Sequence, residues 1–73
     1  MAKIEVKSEI TGSVWKIVTK PSDSVTSGTA LMILESMKME IPVVVEDDGT
    51  ITEILVTEGQ AVVEGQVVAI LEG

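Results

Sequence analysis

The chain has 73 residues, 45% of them apolar, with no cysteine, no histidine and a formal net charge of −7. That is the length of one small domain, too apolar for disorder, with no disulfide staple and without the usual zinc ligands or the usual neutral-pH general base. Its 12 acidic against 5 basic residues should repel nucleic acid and anionic membrane surfaces, no apolar run or signal-peptide pattern points to a membrane, and the absence of cysteine fits a cytoplasmic protein.

Valine and isoleucine number 12 and 8, against 4 leucines and a single aromatic residue, Trp15. β-Branched side chains are stiff at χ1 and suit a pleated sheet, so an all-β domain is expected. In chain order the first half reads as strands near 2–7, 13–19, 24–26 and 29–35, punctuated by Pro21 and Gly28. The second half reads as strands near 39–45, 50–56, 61–63 and 66–72. "EDDGT", 46–50, carries the turn signal Asp48-Gly49, and "EGQ" at 58–60 and again at 64–66 places two further glycines at turns. Alternation breaks in "VWKIV" and in "ITEILV", which predicts a bulge in both.

The two halves are copies of one another. A shift of 37 residues aligns Ile4 with Ile41, Val6 with Val43, Glu9 with Glu46, Gly12 with Gly49 and Ile17 with Ile54. It also aligns Val25 with Val62, Gly28 with Gly65 and Ile33-Leu34-Glu35 with Ile70-Leu71-Glu72, giving ten identities over 36 ungapped pairs. Two such units, about 1–36 and 38–73, predict a single domain over 1–73 with pseudo-twofold symmetry. Its eight short strands should pack as two four-stranded antiparallel sheets, a flattened barrel or sandwich. Under that symmetry the connection 36–39 corresponds to the place where the termini meet, so Lys38 should lie at the end opposite both termini.

Strands 29–35 and 39–45 leave so few residues between them that a tight hairpin must form, with Met37-Lys38 near its tip. Two-residue hairpins favour Asn-Gly, Asp-Gly or another glycine-containing pair, because the central residues need positive φ. Met-Lys breaks that rule in a chain that uses glycine at its other turns. On these residues alone, a solvated lysine beside packing methionines is the plainer reading. Symmetry, position and the unusual residue pair together favour a lysine that is presented to something.

"ESMKME", 35–40, set within two glycine-marked β repeats, resembles the biotinyl domains of biotin-dependent carboxylases. Their signature is a Met-Lys-Met hairpin usually preceded by Ala. The resemblance covers nearly the whole chain, including "GTITEILVTEGQAVVEGQVVAILE", 49–72, and is close to the small standalone bacterial biotin/lipoyl attachment proteins. Lipoyl domains share the fold and usually carry Asp-Lys-Ala at the hairpin. Some bacterial carriers have a protruding thumb in the first half; the ungapped register here leaves no room for one.

The resemblance implies a carrier without a catalytic site of its own. Lys38 would be joined to biotin through an amide made by biotin protein ligase. The resulting swinging arm would carry a carboxyl group between biotin carboxylase and carboxyltransferase partners. Met37 and Met39 match the family's flanking recognition residues, and point to biotin before lipoate. Lipoate attached by a lipoyl ligase, alone or beside biotin, in the service of a 2-oxoacid dehydrogenase or glycine cleavage complex, is the alternative. Glu35 and Glu40 bracket the hairpin, where they could steer a basic ligase cleft or simply keep the strand ends solvated. Ser36 stands where Ala is common. "SEITG", 8–12, replaces the family's Pro-Met-Pro-Gly-like stretch and keeps only Gly12, a departure that bears on partner docking more than on the fold. A free-swinging carrier is expected to be monomeric.

Other candidates are weaker. "EDD", 46–48, lacks the length and spacing of a calcium loop, and no metal site is expected. Serine and threonine have no histidine to activate them. Trp15 aligns with Thr52 and is expected at the surface or rim rather than as a ligand platform.

Overall fold

A computed structural model describes residues 3–73 and contains eight strands. They are β1 Lys3–Lys7, β2 Gly12–Ile17, β3 Ser24–Val25, β4 Ala30–Ser36, β5 Met39–Val44, β6 Gly49–Ile54, β7 Ala61–Val62 and β8 Val67–Glu72. All eight fall where alternation and turn residues predict them, with ends displaced by no more than two residues. Met1 and Ala2, where the first half-repeat and the first expected strand begin, lie outside the described residues.

The strands form two antiparallel sheets, ordered β1-β8-β6-β3 and β5-β4-β2-β7. Moving four strands along the chain turns the first order into the second, so the sequence repeat is also a structural twofold. Each half contributes strands to both sheets. The match extends to single hydrogen bonds. Gly28 N–H donates to the Val45 carbonyl at 2.8 Å, and Gly65 N–H to the Ser8 carbonyl at 2.8 Å. Ser22 N–H donates to the Ile51 carbonyl and Gly59 N–H to the Val14 carbonyl, each at 2.7 Å. Both expected bulges are present: pairing with the neighbouring strand skips between Val14 and Lys16 and again between Ile51 and Glu53.

The core lies between the sheets. Leu31, Met32, Leu34, Ile51, Leu71, Val14, Val62 and Val68 are fully buried, and each contributes about 1.5–3 kcal/mol by leaving water. Trp15, the one aromatic residue, is 49% exposed. The core is therefore aliphatic, which suits the 10 Å gap typical between packed sheets.

The chain turns at "EDDGT" as expected, bending at 46 and 47, but the glycine there has another part. The Asp48-Gly49 pair is not a left-handed turn: Gly49 opens β6 and is absent from the positive-φ residues. A side chain there would meet the Glu72 backbone, and at the equivalent Gly12 it would meet the Glu35 backbone. These glycines serve close strand approach. The turns instead use Gly28, Gly59, Gly65 and, at the position aligned with Gly59, Ser22 with φ 80°.

This topology fixes two ends. Thr29 and Val45 meet at one, joined by the Val45 N–H to Thr29 carbonyl bond, and Gly73 lies there beside Asp48 and Ile4. β4 then runs from Ala30, next to Val44, to Ser36 at the other end. Its seven residues span roughly 20 Å. The β4–β5 hairpin thus lies a strand's length from the C-terminus and from the start of β1, as the repeat predicts.

Candidate functional site

β4 is an interior strand, paired with β2 on one side and β5 on the other. Its alternate residues Met32 and Leu34 are buried, which fixes its register. β5 lies on the sheet edge, where Pro42 can stand without removing a ladder hydrogen bond. The register is Leu34 to Ile41, Glu35 to Glu40 and Ser36 to Met39. Only Met37 and Lys38 remain to reverse the chain.

Both take positive φ, 53° for Met37 and 64° for Lys38. This is the backbone expected of a tight hairpin between right-twisted strands. Neither residue suits it, since a side chain in the left-handed region costs roughly 1–2 kcal/mol. The strain is held in place by the strand pair below it. The hairpin also has a lateral brace. Ser36 Oγ donates to the Thr11 carbonyl at 3.1 Å, and Gly12 packs against the Glu35 backbone. Gly12 of "SEITG" makes this close approach, and Thr11 is the residue that sequence reasoning missed; its contribution is a backbone carbonyl, which no side-chain pattern signals.

The predicted site residues are brought together on this one feature. Met37 is 91% exposed and Met39 60%, and Lys38, Glu35 and Glu40 are also exposed. Met32, by contrast, is wholly buried in the core. Glu35 and Glu40 face each other one step below the turn, a like-charge cross-strand pair. The surface grooves lie elsewhere: one is lined by Ile4, Val6, Val44 and Leu71, the other by Glu5, Glu53, Leu55 and Ile70. Lys38 is thus a primary amine on a flexible stem at a protruding tip, outside those grooves. The acidic run 46–48 is used locally, with Asp48 Oδ1 accepting the Ser27 N–H at 2.8 Å.

An eight-stranded pseudo-symmetric sandwich with an exposed Met-Lys-Met hairpin defines a cofactor-attachment domain. A family model described as "Biotin-requiring enzyme" matches residues 3–71, and the chain belongs to this biotin/lipoyl family. It is similar to the biotin/lipoyl attachment protein of Bacillus subtilis, with 42% identity over 62 residues that cover 85% of each chain. It is also similar to the biotinylated protein TB7.3 homolog of Mycobacterium leprae, 36% identical over 67 residues, 92% of this chain and 94% of that one. Among solved structures, the urea carboxylase of Kluyveromyces lactis superposes with a TM-score of 0.93 at 33% identity, covering 99% of this chain and 6% of that enzyme. The similarity to the enzyme is thus confined to one small part of it.

Proposed function

We propose that the chain is a biotin carboxyl carrier over its whole length, 1–73, modified on Lys38. The observation that carries this reading is the Met37-Lys38 turn. Two residues unsuited to positive φ occupy it, and the lysine between two exposed methionines projects from its tip. The group fits the residues present: an amide needs only an accessible primary amine, and Lys38 offers one with no barrier of burial around it. Biotin protein ligase would supply the activated acyl group. The Lys38 Nζ attacks the acyl carbon, the activating group leaves, and the ligase takes up the amine's proton.

Bound there, biotin supplies the ring that accepts and releases a carboxyl group. The chain's own residues do the carrying. The lysine stem gives reach, β4 and β5 give a rigid base, and tethering raises the local concentration of the ring at each partner site. Biotin carboxylase and carboxyltransferase are the partners this role requires. A monomer in the cytoplasm serves it best. Met37 and Met39 offer soft, adaptable surface to more than one partner.

A second reading, lipoate on the same lysine, is favoured by the similarity to a protein named for both cofactors. One experiment separates the readings. The chain is co-expressed with a biotin ligase and, separately, with a lipoyl ligase, and its intact mass is recorded beside that of Lys38→Arg. A biotin adduct lost in Lys38→Arg is expected. A chain unmodified by both ligases sinks the carrier reading, and an adduct that survives the substitution moves the site.

A further inference from the structure

The two halves share one backbone plan, so each half reports what the fold alone demands of the other. On the outer face of the sheet that carries Lys38, the residues depart from that demand. Lys16, Ile33 and Pro42 form a row across β2, β4 and β5. The matching row on the other sheet is Glu53, Ile70 and Glu5. One step towards the hairpin, Glu35 faces Glu40, whereas the equivalent Glu72 faces Lys3. Exposed Trp15 and Val44 correspond to Thr52 and Lys7.

The second copy therefore builds the same sheet with threonine, glutamate and lysine where the first has tryptophan, proline and valine. Folding does not require the apolar set. Its placement makes the lysine-bearing face apolar, and it turns an attractive Glu–Lys pair into a repulsive Glu–Glu pair. Directly opposed like charges destabilise a sheet unless a cation meets them. An exposed tryptophan next in the chain to Lys16, which pairs with Ile33, has the make-up of an interface anchor. From Ile33 to Ser36 is three residues, about 10 Å along β4, so a protein whose site receives Lys38 also covers this face.

We infer that the outer face of β2, β4 and β5, anchored by Trp15 with the Glu35–Glu40 pair between it and Lys38, is the docking surface for the ligase that loads Lys38. The complementary ligase surface is an apolar recess bordered by lysine or arginine side chains. This rests on the carrier reading of Lys38. The occupant follows from charge: an enzyme that forms an acyl adenylate holds its phosphate with basic groups, close to where the amine must enter.

The repeat itself supplies the variants. Trp15→Thr, Pro42→Glu and Val44→Lys, combined, install the residues that the other half already carries on the same backbone. Attachment is followed by intact mass with purified biotin protein ligase, ATP and biotin. The triple variant is expected to raise KM at least tenfold with kcat little changed, and Trp15→Thr alone to raise it severalfold. Glu40→Lys, which recreates the Glu72–Lys3 pairing, is expected to raise the melting temperature while also raising KM. Glu53→Ala, on the opposite sheet and away from Val44, should leave KM unchanged. In chain labelled with 5-fluorotryptophan, the single fluorine resonance of Trp15 should shift or broaden on adding ligase. Unchanged KM in the triple variant and in Trp15→Thr, a loss confined to kcat, or an equal loss from Glu53→Ala overturns the docking surface. A wild-type chain that the ligase leaves unlabelled overturns the carrier reading with it. A labelled wild type with unaffected variants overturns the docking surface alone.

Discussion

Gly12 packs so closely against Glu35 that a methyl group on its α-carbon would overlap the Glu35 carbonyl oxygen and press on Ser36. Glu35 and Ser36 are the last residues before the turn, so this contact sets where the hairpin sits. Gly12→Ala is expected to lower stability by roughly 1–3 kcal/mol, the usual range for overpacking, and to slow attachment at Lys38 by moving the hairpin base. Gly49→Ala makes the twofold-related clash with Glu72, away from the hairpin. It should destabilise by a similar amount and leave attachment unchanged. Urea unfolding and labelling rates, compared well below both melting points, check the pair. Equal slowing in both would show that stability, not hairpin placement, limits the reaction.

The turn residues set function against stability. Met37 and Lys38 hold φ of 53° and 64°, where Asn-Gly is at ease. Met37→Asn with Lys38→Gly is expected to stabilise the chain by about 1–3 kcal/mol. For a domain of this size that raises the melting temperature by about 4–8 °C per kcal/mol. The same variant must accept no cofactor. Calorimetry and intact mass read the two effects together, and an unaltered melting temperature would mean that the wild-type turn is relaxed.

Much of this was legible in the sequence because it is periodic. The repeat of 37 residues gave the strand count and the sheet symmetry, broken alternation marked both bulges, and the poor Met-Lys pair marked the turn. What escaped were contacts that leave no trace in residue type. Gly49 looks like a turn glycine beside Asp48, yet it serves close approach to Glu72. Ser22 adopts the left-handed backbone of its partner Gly59 although it is not glycine, because Pro21 ahead of it and the bond from its N–H to Ile51 fix the turn. The face around Trp15 was visible only as a misalignment with Thr52 until the register placed its neighbour Lys16 in a row with Ile33 and Pro42.

Ser36 occupies the position where alanine is common in the family, and its hydroxyl donates to the Thr11 carbonyl at 3.1 Å. A hydrogen bond at a partly exposed site contributes about 0.5–1.5 kcal/mol. Ser36→Ala should therefore cost no more than about 1 kcal/mol in urea unfolding. Attachment should persist, since Gly12 still braces Glu35. A loss of labelling would make the hydroxyl, rather than the glycine contact, the element that positions the hairpin.

The methionines offer the sharpest test of cofactor choice. Met37 is 91% exposed and Met39 60%, so replacing them removes little packing. Aspartate also tolerates positive φ better than methionine does, so Met37→Asp should relieve the turn rather than strain it. Met37→Asp with Met39→Ala is thus expected to fold at least as stably as the wild type. With packing unchanged, any altered labelling reports recognition. The ratio of lipoyl to biotinyl product, measured by intact mass with both ligases present, should rise at least tenfold. An unchanged ratio would leave discrimination to the strands below the turn, beginning with the Glu35–Glu40 pair one step below it.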